Sequence, residues 1–116
     1  MKLAHAESSD KGWFFGPWNS DLAISVGYAN KGIDEPHLHN QITEIYLVAC
    51  GVAEIRIEKE TFKLQGGDII ILERGEVHTF LSSSADYFHF VVHTPGLSSE
   101  SARKEKSFVP RTRLGL

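Results

Sequence analysis

Ten glycines, at positions 12, 16, 27, 32, 51, 66, 67, 75, 96 and 115, cut this chain into short segments rich in isoleucine, valine, phenylalanine, tyrosine and threonine. Such segments suit strands and leave little room for helices, so the core must be built from many short β-strands. Strands are expected near 13–18, 22–29, 35–39, 44–49, 53–58, 61–64, 68–72, 78–81 and 88–93, and no segment competes as a strong helix. AEIRIEKE alternates apolar Ala53, Ile55 and Ile57 with charged Glu54, Arg56 and Glu58, the pattern of a strand with one buried and one wet face. Lys59-Glu60 supplies the turn back. Short antiparallel strands with turn signals every eight to twelve residues or so bury their faces and edges by stacking or closing, which points to an all-β sandwich or barrel.

At 116 residues the chain holds one core, which excludes a multidomain enzyme. With 41% hydrophobic and 23% charged residues, neither a collagen-like nor a disordered chain is tenable. The net charge of -3, without a basic stripe interleaved with aromatics, argues against a nucleic-acid partner. The longest apolar runs, IYLVACGVA and DIIIL, fall short of the ~20 residues needed to cross a bilayer. The first residues lack the apolar stretch of a signal peptide, and the single Cys50 cannot form an internal disulfide, so a cytoplasmic protein is expected. Cys50, inside an apolar run, reads as a small buried hydrophobe. Residues 1–96 are expected to form the domain. In 97–116 Arg103, Lys104, Lys106, Arg111 and Arg113 outnumber Glu100 and Glu105, which reads as a polar, basic and solvated tail, with Phe108 and Val109 free to tuck against the body.

Chemistry concentrates in EPHLHNQITE. Residues i and i+2 of a strand share a face, so His37 and His39 set two imidazoles side by side, about 7 Å apart at the backbone. Glu44 follows after enough chain for a tight turn and a returning strand, and His78 can supply a fourth group from a distant strand. Two or three imidazoles and a carboxylate with open positions suit one divalent first-row metal: Fe, Mn, Ni, Co or Zn. Tyr46 shares the parity of Glu44 and Phe80 that of His78, which places both at a common cavity. His89 and His93 share a strand face. Turned inward they act as donors or proton shuttles; turned outward, the placement expected from the sequence, they are surface residues.

At these residues the chain resembles the cupin superfamily, whose first motif runs Gly, five residues, His-x-His, three or four residues, Glu, six residues, Gly. Gly32, His37, His39, Glu44 and Gly51 follow it, with the first gap one residue short. The second motif runs Gly, five residues, Pro-x-Gly, two residues, His, three residues, Asn. Gly67, Gly75 and His78 keep its spacing, with Glu73 in place of Pro and Ser82 in place of Asn. The resemblance covers roughly Gly32 to Ser82, with the fifteen residues between the motifs matching the short spacing of small microbial cupins. It implies a jelly-roll, double-stranded β-helix barrel and a metal held by His37, His39, Glu44 and His78, a set that metal-free sugar-epimerase cupins lack. It also implies a homodimer in which N-terminal strands extend the partner's sheet. The aromatic segment 13–18 itself reads as part of such a contact or as a lid.

Such a site serves a metal-dependent enzyme on a small organic molecule, dioxygenase-like or isomerase-like, or else a non-catalytic module that binds or stores a sugar- or carboxylate-like ligand. A base beyond the ligand set, from His89, His93 or Tyr46, favours the enzyme. No helix pair of a DNA-reading regulator is visible, and no single segment announces the large exposed apolar patch that a structural role requires.

Overall fold

The alternation and the glycine punctuation become two facing antiparallel sheets in the computed structural model, which describes residues Met1–Leu116. The strands are β1 (Lys11–Phe15), β2 (Ser25–Ala29), β3 (His37–His39), β4 (Thr43–Cys50), β5 (Val52–Ile57), β6 (Glu60–Gln65), β7 (Ile69–Leu72), β8 (His78–Ser83) and β9 (Phe88–Thr94). After them come α1 (Ser99–Glu105), β10 (Lys106–Phe108) and a 3-10 turn over Arg111–Leu114. One sheet runs β1-β2-β9-β4-β7 and the other β10-β3-β8-β5-β6. No helix is long and apolar enough to cross a membrane.

Each of the nine expected strands is present, with ends displaced by up to three residues. The β5–β6 turn falls one residue early: Ile57 pairs with Glu60, and Glu58 takes the left-handed conformation, φ 51°. Inward positions of both sheets interlock in a core of Tyr46, Val48, Ala53, Ile55, Leu64, Leu72, Phe80, Tyr87 and Val91. Gly51 leads from β4 into β5 at φ 76°, and a Cβ there would lie 2.5 Å from the Tyr87 backbone, so only glycine fits both the angle and the space.

Two expectations are corrected. Cys50 is exposed, because an irregularity between Val48 and Cys50 turns the end of β4 out of the core. Residues 97–116 do not form a solvated tail: α1 starts from a Ser98 cap, β10 pairs along its length with β3, and Leu114 is fully buried. Hydrophobic periodicity could not reveal α1, since its one buried residue is the charged Glu105.

Candidate functional site

The site lies where β3 and β8 of one sheet face β4 and β9 of the other. His37 and His39 project from β3, and His37 stands directly opposite His78 on β8. Glu44 on β4 stands opposite His93 on β9. The sandwich therefore closes an imidazole pair from one sheet onto a carboxylate from the other. Ligand atoms of His37, His39, Glu44 and His78 all lie within 4.8 Å of one another, and the last three residues are buried.

Hydrogen bonds behind the rings decide which nitrogen faces inward. His37 Nδ1 donates to the carbonyl of Glu35 at 2.6 Å and His78 Nδ1 to that of Glu76 at 3.1 Å. A carbonyl only accepts, so each ring donates from Nδ1 and turns Nε2 toward the cluster, where His78 Nε2 meets Glu44 Oε1 at 3.2 Å. His39 Nδ1 donates to Glu105 Oε2 at 2.5 Å, and its Nε2 is buried without a hydrogen-bond partner, 3.5 Å from Glu44 Oε2. Three imidazole nitrogens and a carboxylate thus converge, a donor set that fits a divalent transition metal once any Nε2 proton is released.

Charge at the site follows the same logic. Burial, with His78 beside it, pushes the His37 pKa down to about 3, so that ring stays neutral. Burial also opposes protonation of His39, but Glu44 and Glu105 outweigh it and raise its pKa. Burial alone would raise the Glu44 pKa; contacts from His39, His78 and His93 instead hold it well below the usual carboxylate range.

Tyr46 and Phe80 line the cavity, as their parity implies. His89 and His93 correct the expected outward placement: both are buried and both line the cavity. Tyr46 donates to Glu44 Oε1 at 2.6 Å and His93 Nε2 to Glu44 Oε2 at 2.5 Å, so each oxygen of the carboxylate is fixed from outside the four-residue cluster. Burial, then the Glu44 charge, raises the Tyr46 pKa well above normal and keeps it a phenol. The cavity measures about 470 Å³; Trp13, Tyr28, Ile33 and Val91 give it an apolar wall. Lys11, Lys31, Arg103 and Lys106 give it a cationic lining, relieved by Glu35, which Lys106 pairs at 2.8 Å and whose pKa Lys106 lowers.

One participant escaped the sequence reading. Glu105, buried at the end of α1, bonds His39 Nδ1 and accepts from the backbone N–H groups of Gln41 and Ile42 through Oε1, at 3.1 Å each. A carboxylate in a basic segment, sixty-six residues from the ring it holds, leaves no local signal. Trp13 packs edge-on against His93 at 4.7 Å, which makes part of the aromatic segment 13–18 a cavity wall.

Two interlocked antiparallel sheets with this cavity between them define a cupin, a double-stranded β-helix protein of the all-β class. Within that class the chain belongs to the family of AraC-like ligand binding domains, whose family model matches residues 21–113. It is similar to the pectin degradation protein KdgF of Dickeya dadantii, with 35% identity over 66 residues; the match spans 56% of this chain and 60% of the length of that relative. KdgF from a Halomonas species shares the fold at a TM-score of 0.63 and 18% identity, over 75% of this chain and 80% of that one. So does the Streptomyces nucleoside dehydratase Pac13, at 0.65 and 13%, over 93% and 92%.

Proposed function

We propose that this cupin is a metal-dependent enzyme that carries out proton-transfer chemistry, isomerisation or elimination, on a small oxygen-bearing molecule with an anionic group. The observation that carries this reading is the convergence of the His37, His39 and His78 rings, each anchored through Nδ1, with the Glu44 carboxylate, their ligand atoms all within 4.8 Å of one another. A divalent metal bound there supplies Lewis acidity toward the oxygens of the bound molecule. The chain's own residues do the rest. Tyr46 and His93 fix the Glu44 carboxylate, and His93 holds a proton on Nε2 at the cavity wall. Trp13, Tyr28 and Val91 exclude water, and Arg103 with Lys11 and Lys31 attracts an anion. Names of similar proteins, one for pectin degradation and one for nucleoside dehydration, support a small polar substrate.

The test is elemental analysis of protein purified without chelator. Wild type and His5→Ala are expected to hold about one equivalent of metal, and His37→Ala and His78→Ala to lose it; full occupancy in His78→Ala overturns the ligand set. Iron in the wild type would turn the activity assay toward dioxygen consumption, the dioxygenase-like alternative. Binding without turnover across sugar carboxylates and nucleosides, followed by proton NMR, would favour a ligand-binding module, in keeping with the family description. Its place of action is the cytoplasm, where the exposed thiol of Cys50 stays reduced.

The acting unit is a homodimer joined through the outer face of β7, β4, β9 and β2. Two cross-strand rows, Ile71–Ile45–Val92–Val26 and Ile69–Leu47–Phe90, cover this face without a charge. Ile69 and Ile71 are 65% and 55% exposed. Four strands at about 4.8 Å make a patch roughly 15–20 Å wide. With no charge to match, its complement is the same face of a second copy, related by a twofold axis. Light scattering on the eluting protein is expected to give the mass of two chains, and one chain overturns the dimer.

A further inference from the structure

His89 is a buried histidine of the cavity that lies outside the cluster around Glu44 and makes no hydrogen bond to it. Its ring lies 4.5 Å from the Tyr46 ring and 5.5 Å from the Phe80 ring, nearly parallel to Phe80, so two aromatic faces fix its plane. It is 3% exposed, lines the cavity, and its Nδ1 sits 2.7 Å from the Tyr87 hydroxyl, while its Nε2 has no partner in the protein. Tyr87 is 1% exposed, and His89 Nδ1 is the only partner of its hydroxyl.

The direction of that bond settles the chemistry of the ring. Were Nδ1 to donate, the phenol O–H would be left buried with nowhere to donate, a cost of about 1–3 kcal/mol. Tyr87 therefore donates to Nδ1, and the neutral ring keeps its one proton on Nε2. Burial pushes the His89 pKa down to about 4 and raises that of Tyr87, so both groups are neutral near pH 7. A neutral imidazole with its N–H aimed into a cavity is a hydrogen-bond donor and not a base.

We propose that His89 contacts the substrate directly, donating from Nε2 to an acceptor oxygen of the bound molecule, and that Tyr87 is a positioning residue that fixes this tautomer. The inference rests on the reading that the cavity takes a small oxygen-bearing molecule, and it adds what the four-residue cluster does not: a donor fixed on the opposite side of Tyr46. It assigns opposite roles to the two histidines of β9, His93 bonded to the Glu44 carboxylate and His89 to the ligand.

The experiment has two arms, both on the full chain with metal bound. In the first, nitrogen-15 NMR of histidine-labelled protein at pH 7 is expected to show His89 protonated on Nε2, with Tyr87→Phe giving a mixture of tautomers. A wild-type ring protonated on Nδ1, or cationic, overturns the proposal. In the second, galacturonate serves as a sugar-carboxylate probe. His89→Gln, which keeps an N–H donor, is expected to bind within about threefold of wild type. His89→Phe is expected to lose at least tenfold and Tyr87→Phe a few-fold, with metal content unchanged in all three. Equal binding by wild type and His89→Phe overturns the contact alone. No binding by wild type overturns the contact together with the carboxylate reading of the cavity.

Discussion

On the outer face of β5 and β6, Glu54 stands opposite Lys63 and Arg56 opposite Thr61, and the chain's own C-terminal segment crosses beside them, with Arg56 Nε donating to the Leu114 carbonyl. Across the sandwich, the equivalent outward positions of β7, β4 and β9 are Ile71, Ile45 and Val92 in one row and Ile69, Leu47 and Phe90 in the next. One sheet is covered by charge and by its own chain; the other presents apolar side chains that the chain covers only at the β2 end, where Phe14 packs on Tyr28 and Phe90, and leaves open at Ile69 and Ile71. The difference teaches that the two sheets answer the same problem, a second face that must meet water or be hidden, in different ways. The sheet that carries His37, His39 and His78 is held by the C-terminal segment, so the site depends on that segment through Glu105. The sheet that carries Glu44 and His93 has no such strap over its apolar outer face, which is the face the proposed dimer would bury.

The comparison breaks first at the apolar face. Leu47→Glu or Ile71→Glu places two charges in each interface, one per copy, and is expected to weaken dimerisation by about a thousandfold or more, with metal content retained. Glu54→Ala and Lys63→Ala, on the other sheet, are expected to leave the mass unchanged; equal effects on both sheets would abolish the distinction. Next in size is the C-terminal strap. Leu114→Ala empties a fully buried site and is expected to cost about 2–5 kcal/mol, read from the urea midpoint. Glu105→Ala removes the acceptor behind His39 and strands two backbone N–H groups, for an expected 10- to 100-fold loss of metal affinity, while Glu105→Gln keeps part of it.

Much of this contrast was written in the strands themselves. AEIRIEKE alternates, and its sheet has a polar outer face; EIYLVAC, DIIIL and FHFVV carry apolar residues at both parities, and their sheet has an apolar one. Read strand by strand, the second pattern does not announce a patch, because each strand contributes only a few outward residues and the register that aligns them is a tertiary fact. The grouping of His37, His39, Glu44 and His78 was legible because two of its members share one strand face and the other two stand at motif spacings. The orientation of His89 and His93 was not, since parity relates side chains within a strand and does not say which face meets the core. Glu105 was hidden for a third reason: a single long-range hydrogen bond has no period.

The smallest expected effect lies where the strap meets the β5–β6 turn. Glu58 accepts from the Val77 N–H and pairs with Arg113 at 2.7 Å. Burial opposes ionisation there, but the Val77 bond and Arg113 outweigh it and lower the Glu58 pKa. A carboxylate with a depressed folded-state pKa stabilises the fold fully above its unfolded pKa, near 4.3, and that contribution is lost as the pH falls through the folded value. The pair is more than one-third exposed, so its worth is roughly 0.2–1 kcal/mol and falls with added salt. Glu58→Gln keeps the strained backbone position, so the φ of 51° cancels in the comparison. Urea midpoints of wild type and Glu58→Gln are expected to differ by a constant amount above about pH 5 and to converge below pH 4. A difference that persists unchanged into acid would mean that the turn is held by its backbone and not by the charge of the strap.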